Sequence, residues 1–109
     1  MAQLGQLAGL IRSKNAGPFL LTFDIIFDDP AMYAAVKRSG VVTPALFARV
    51  YGIPEDQVHF VQYDPGLALK ATIPRPIPSG DPLDTDIYGA QQHGPLVEID
   101  VPIDHPRRV

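Results

Sequence analysis

Cysteine is absent from the 109 residues, which excludes both a disulfide framework and a thiolate-ligated metal site. Positive charge is in deficit: nine Lys and Arg against twelve Asp and Glu leave a formal net charge of −3. A general nucleic-acid binder needs a basic field, and this chain has none. No apolar run approaches the roughly 20 residues of a membrane-spanning helix. The opening "MAQLGQLAGLIRSK" lacks the basic start and the small-residue cleavage pattern of a secretory signal. These absences point to a cytoplasmic protein that binds neither nucleic acid nor membrane. What is present is apolar material, 46% of the chain, enough for one compact core and too little for a second domain.

The apolar positions are periodic. Leu4, Leu7, Ala8 and Ile11 recur at helical spacing and predict a short amphipathic helix over about residues 3–13, ended by Asn15 or Gly17. "PFLLTFDIIFDD" then alternates, with Phe19, Leu21, Phe23, Ile25 and Phe27 on one face and Leu20, Thr22, Asp24, Ile26 and Asp28 on the other. That is the pattern of a strand with one face committed to a core. Asp29-Pro30 and Thr43-Pro44 each place a capping side chain before proline at the first helical position. They open two helices. The first groups Met32, Ala35 and Val36 and stops at Gly40; the second buries Leu46, Phe47, Val50 and Tyr51 and stops at Gly52.

"QVHFVQY" reads as a second strand, "DPG" as a turn, and "LALKATI" as a third strand with Leu67, Leu69, Ala71 and Ile73 inward. "PLVEIDVPI" predicts a fourth, with Val97, Ile99, Val101 and Ile103 set against Glu98 and Asp100. The order is helix, strand, helix, helix, strand, strand, loop, strand. It predicts one α+β domain over residues 1–109, a sandwich of a small, mostly antiparallel sheet of about four strands with helices on one face. The first two strands, joined through two helices, are candidates for parallel alignment with a right-handed crossover. Phe19, Leu21, Phe23, Ile25, Phe27, Leu46, Val50, Phe60 and Leu69 are the expected core.

Candidate chemistry is polar and scattered. "RSKNAGPF" brings Arg12, Lys14 and Asn15 together and can hold an anion. A helix-ending turn with solvated charges is the simpler alternative, because phosphate loops place their amides at a helix start. Asp24 lies mid-strand among apolar residues, so its carboxylate must be paired, hydrogen-bonded or turned to an open surface. Lys70 and Arg75 flank a strand end, and a cleft containing both would favour an acidic substrate. Prolines 74, 76 and 78 make the following arm stiff and extended. The arm leads into "DPLDTDIYGAQQH", so that arm and polar loop together occupy residues 74–94. A loop of that length is usually functional or disordered. Asp86, Tyr88 and His93 are its acid–base candidates, without a recognisable nucleophile–base–orienter set. Asp84, Asp86 and His93 match no standard metal spacing, so no metal is assigned, and no motif names a cofactor.

Five stretches, "IRSKNAGPF", "LTFDIIFDD", "YGIP", "KATIPRP" and "DTDIYGAQQH", carry a resemblance that covers about Leu4 to Ile103. The chain resembles the small domain of unknown function encoded beside, or fused to, acyclic terpene utilisation-type proteins. The resemblance implies a larger protein of that type as partner, and a role in the catabolism of branched or hydroxylated acids or acyl-CoA derivatives. It adds Gln91 and Gln92 to Arg12, Lys14, Asn15, Lys70 and Arg75 as candidate substrate-binding residues, and it carries no catalytic set to transfer. The expectation is a small subunit that completes a hydratase- or lyase-type site on the partner, and an oligomer formed with itself or with that partner. The alternatives are an independent homo-oligomeric enzyme with a site shared between identical subunits, and a purely structural adaptor.

Overall fold

The structure, a computed structural model, describes residues 1–17, 19–75 and 94–103. In chain order its elements are β1 (Ala2–Gln3), α1 (Leu4–Leu7), β2 (Leu10–Asn15), β3 (Leu20–Ile26), α2 (Pro30–Ser39), α3 (Pro44–Tyr51), β4 (His59–Tyr63), β5 (Ala68–Pro74), α4 (Gly94–Val97) and β6 (Asp100–Val101). The four longer strands form one antiparallel sheet in the order β2-β3-β5-β4, and β1 and β6 form a separate two-stranded pair. The fold is α+β, as the alternation of helical and strand periods implies.

The sheet buries one face. Leu21, Phe23, Ile25, Leu69, Ala71 and Ile73 join Tyr33 and Val36 of α2 and Leu46 and Phe47 of α3 in a single apolar cluster. Phe23 is its centre, with ring centroids 5.6 Å from Phe47 and 4.7 Å from Tyr51. Aromatic pairs at such separations add to simple area burial. Leu4, Leu7, Leu96 and Val101 close the same cluster from the small sheet and its short helices. The buried side chains of all described helices therefore lie in one core.

The caps of α2 and α3 are those their sequences announce. Asp29 Oδ1 accepts from Ala31 N–H at 3.0 Å and Thr43 Oγ1 from Leu46 N–H at 3.3 Å, each followed by proline. Gly40 and Gly52 end the helices in left-handed conformation, at φ 70° and 67°. On α2 the buried stripe is Tyr33 and Val36, while Met32 and Ala35 are half-buried. The shift follows from Tyr33, whose hydroxyl donates to Asp64 Oδ1 at 2.7 Å.

Three expectations fail, each for a tertiary reason. The helix over residues 3–13 is one turn only, because Gly9 N–H donates to Ile26 O and residues 10–15 join the ladder with β3. Gly5 and Gly9 within the pattern already weaken a helix there, by about 1 kcal/mol each. The strand over 95–103 is instead a helical turn and a two-residue strand: Leu96 and Val101 are buried, whereas Val97 is exposed. Phe19 is 65% exposed, since it precedes the first residue of β3 and lies past the end of the covered face. Of the remaining expected core, Val50 and Phe60 are half-buried, at the margin of the cluster.

The strands β3 and β4 do run parallel, but they are not neighbours. Each pairs antiparallel with β5, which lies between them. The turn into β5 lies where "DPG" places it. Asp64–Gly66 is a 3-10 turn, and a positive φ of 50° falls on Leu67. A Cβ on Gly66 would sit 2.7 Å from the ring of Tyr63, so that half-exposed ring would have to shift.

Candidate functional site: the charged row on the outer sheet face

Paired residues in a sheet share a face, so the ladder register sorts the polar side chains. On the face away from Phe23, one row reads Arg12, Asp24, Lys70 and Val61 across β2, β3, β5 and β4. The adjoining row reads Lys14, Thr22, Thr72 and His59, and the row on the other side reads Leu10, Ile26, Ala68 and Tyr63. Leu10, Val61 and Tyr63 on this face are between 41% and 50% exposed.

Asp24 is the hub. Its side chain is 3% exposed, while Arg12 and Lys70 are 51% and 43% exposed. Arg12 Nε donates to Oδ2 at 2.9 Å and Lys70 Nζ donates to Oδ1 at 3.1 Å. Burial pushes the Asp24 carboxyl up, but the hydrogen bonds and charges of Arg12 and Lys70 outweigh it and hold the group below its ordinary 3.8. The carboxylate is ionised and each oxygen is engaged. Arginine carries five N–H donors and lysine three, so one cation turns its Nε inward and the other a single N–H. Both cationic side chains stay about half exposed. Next to them, the hydroxyls of Thr22 and Thr72 are 3.1 Å apart and hydrogen-bonded to each other.

Two cations on one carboxylate leave this row net positive, within a chain of net charge −3. Lys14 adds a further cation in the next row. Arrangement and chemistry both suit an anion laid across the row, held by charge-assisted hydrogen bonds. Of the alternatives read from the sequence, that Asp24 be paired, hydrogen-bonded or turned to an open surface, the structure takes the first two: the carboxylate is buried and both its oxygens accept from cations.

Of the residues proposed from sequence, Arg12, Lys14 and Lys70 come together. Asn15 does not: it pairs with Leu21 and so lies in a row of the opposite, core-side face. Arg75 does not share the row either. It follows the last residue of β5, is buried at 7% exposure, and its backbone N–H donates to Phe19 O at 2.7 Å. The expected grouping of Lys70 with Arg75 is thus replaced by Lys70 with Arg12. Arg12–Asn15 are the last residues of β2, which pairs antiparallel with β3, and not a helix-ending turn. Asp86, Tyr88, Gln91, Gln92 and His93 lie outside the described residues. Thr22, Thr72 and His59 carried no sequence signal, since only pairing partners reveal that they adjoin Arg12 and Lys70.

A second polar cluster joins α2 to the β4–β5 turn. Asp64 Oδ1 accepts from Tyr33 Oη at 2.7 Å and from Lys37 Nζ at 2.8 Å, and Lys37 Nζ lies 5.1 Å from the Tyr33 ring centroid. Burial and the neighbouring Asp64 push the Tyr33 hydroxyl up to about 12. The cluster is a clasp between elements. A cleft of about 250 Å³ lies elsewhere, lined by Gln6, Leu7, Ala8, Gly9, Asp28, Asp29 and Met32. It contains none of the cations of the charged row. Among the described residues no group of three or more His, Cys, Asp or Glu could hold a metal ion, and no helix is long and apolar enough to cross a membrane.

A family model described as a domain of unknown function, DUF4387, matches residues 4–100. No curated protein and no solved structure matches.

Proposed function

We infer a function from one premise that this match supplies: the chain belongs to the DUF4387 family of domains of unknown function. We propose that it is a small accessory subunit of a catabolic hydratase or lyase. It docks on a larger acyclic terpene utilisation-type protein and lends its outer sheet face to a shared site for a carboxylic acid or acyl-CoA substrate. The observation that carries this reading is the charge surplus of the Arg12–Asp24–Lys70 row, exposed on a face whose surroundings are half apolar. Adding or removing water beside a carboxylate or thioester builds negative charge on its oxygen, and fixed cations aimed there stabilise that charge. Asp24 holds both cations in place before the acid arrives, which lowers the cost of ordering them. Asp86, Tyr88 and His93 remain the acid–base candidates of this proposal.

The test is calorimetric titration of a branched carboxylic acid and its CoA thioester into the chain alone, into the larger protein alone, and into their mixture, with turnover measured in each. Turnover is expected only in the mixture. Arg12→Met or Lys70→Met is expected to weaken acid binding about tenfold, equivalent to about 1.4 kcal/mol. Lys37→Met, in the clasp on α2, is expected to leave it unchanged. Full activity of the larger protein by itself, or acid binding indifferent to both row variants, would overturn the reading.

A further inference from the structure

The two edges of the main sheet are unlike. One is β2, whose outer-face positions include Arg12 and Lys14. Cations on an edge strand are a common guard against pairing with another chain. The other is β4, His59–Tyr63, reading "HFVQY". It has no proline, lysine, arginine or carboxylate, and its phenylalanine, valine and tyrosine favour strands. Its register with β5 runs without interruption from His59↔Thr72 to Tyr63↔Ala68, so no bulge twists the edge away. Val61 and Tyr63 are 41% and 50% exposed. Among the described residues, none of the usual sequence protections is present on this edge.

We propose that β4 pairs antiparallel with β4 of a second copy of this chain, about a two-fold axis through Val61, joining the two main sheets into one. The strand is complementary to itself. Val61 is the middle residue of β4, and only the register centred there pairs all of its residues. That register sets Val61 against Val61, His59 against Tyr63, and Phe60 against Gln62. No like charges meet. Pro65, just beyond the strand, has no N–H to donate and ends the ladder. The aromatic and β-branched contacts across the axis are of the kind that stabilises cross-strand pairs. The outer faces of the two copies become continuous, with Val61 next to Lys70 in each half of the central row. A second copy fits this edge better than a foreign strand because the complementarity is already internal to five consecutive residues. The proposal stands independently of the acid-binding reading, since it uses the edge of the sheet and not its cations.

The absence of cysteine makes a direct test available. Opposed residues in an antiparallel pair have Cα atoms about 4.5–5.5 Å apart, within the span a disulfide accepts. Val61→Cys is therefore expected to give a disulfide-linked dimer under mild oxidation. It should do so roughly tenfold faster than His59→Cys, which in this register faces Tyr63 and not itself. Mixing His59→Cys with Tyr63→Cys protein is expected to restore rapid cross-linking. Circular dichroism of each variant checks that the fold is kept, as exposed positions allow. Light scattering of the unmodified chain is expected to show a mass that rises to that of a dimer, and Val61→Lys to return it to a monomer. A monomeric mass at every concentration, together with Val61→Cys linking no faster than Leu10→Cys on the other edge, overturns the proposal. So does a Val61→Cys protein that links only to the larger partner.

Discussion

Arg12 and Lys70, on the strands either side of β3, hold opposite oxygens of the same carboxylate, Asp24 Oδ2 at 2.9 Å and Oδ1 at 3.1 Å. Either cation alone still neutralises Asp24. Arg12→Met and Lys70→Met keep apolar stems over the carboxylate, and each is expected to cost about 1 kcal/mol or less, as for a half-exposed ion pair. The double variant leaves a buried charge without compensation and is expected to lose about 3–5 kcal/mol. A double-mutant cycle measured by urea denaturation checks this, and strict additivity of the two losses would refute it.

Acid should weaken the fold through the same group. Asp24 has a folded pKa below its ordinary 3.8, so its contribution is fully present above that value. The contribution is lost as pH falls below 3.8 and through the lower folded value. Asp64 shifts in the same direction, through its hydrogen bonds from Lys37 and Tyr33. Stability is expected to be flat from neutral pH to about 4.5 and to decline below it. Asp24→Asn should flatten that decline when melting is followed across pH.

The alkaline side belongs to Tyr33. Its folded pKa is raised from 10.0 to about 12. The stability linked to its proton is present below pH 10 and lost as pH rises from 10 towards 12. Burial also pushes the Tyr51 hydroxyl up. Ultraviolet titration should show tyrosine ionisation coinciding with unfolding above pH 10. Tyr33→Phe is expected to remove part of that alkaline limb and to weaken the clasp to Asp64 at neutral pH by about 1 kcal/mol.

Phe19 and Phe23 test the end of the buried face. They fall on the same side of the alternation, yet Phe23 is 0% exposed and Phe19 is 65% exposed. Phe23→Ala is expected to cost about 3–5 kcal/mol. Phe19→Ala should change stability by no more than about 0.5 kcal/mol. Equal losses in guanidinium melts would show that the covered face extends past Leu20.

The sequence by itself determined the parts whose signals are local. Asp29-Pro30 to Gly40 and Thr43-Pro44 to Gly52 carry their own start and stop chemistry, and a helix closes its hydrogen bonds within itself. The alternation around Phe23 likewise names the core face of β3, because a strand buried on one side repeats every second residue. Tertiary structure decided the rest. Leu4, Leu7, Ala8 and Ile11 have helical spacing on paper, but β3 has two polar ladder edges, and pairing residues 10–15 along one of them satisfies more backbone than a helix interrupted at Gly9. Leu96 and Val101 are both fully buried, a spacing of five that neither a strand nor a single helix provides, and it arises from docking a turn and a strand on the same core. The candidate site is the clearest case. Arg12, Asp24 and Lys70 are separated by 12 and 46 positions, so nothing local relates them. The sequence context of Asp24 left its carboxylate paired, hydrogen-bonded or turned to an open surface, because a buried lone carboxylate is costly. Only the strand order β2-β3-β5 decided that it is buried between two cations.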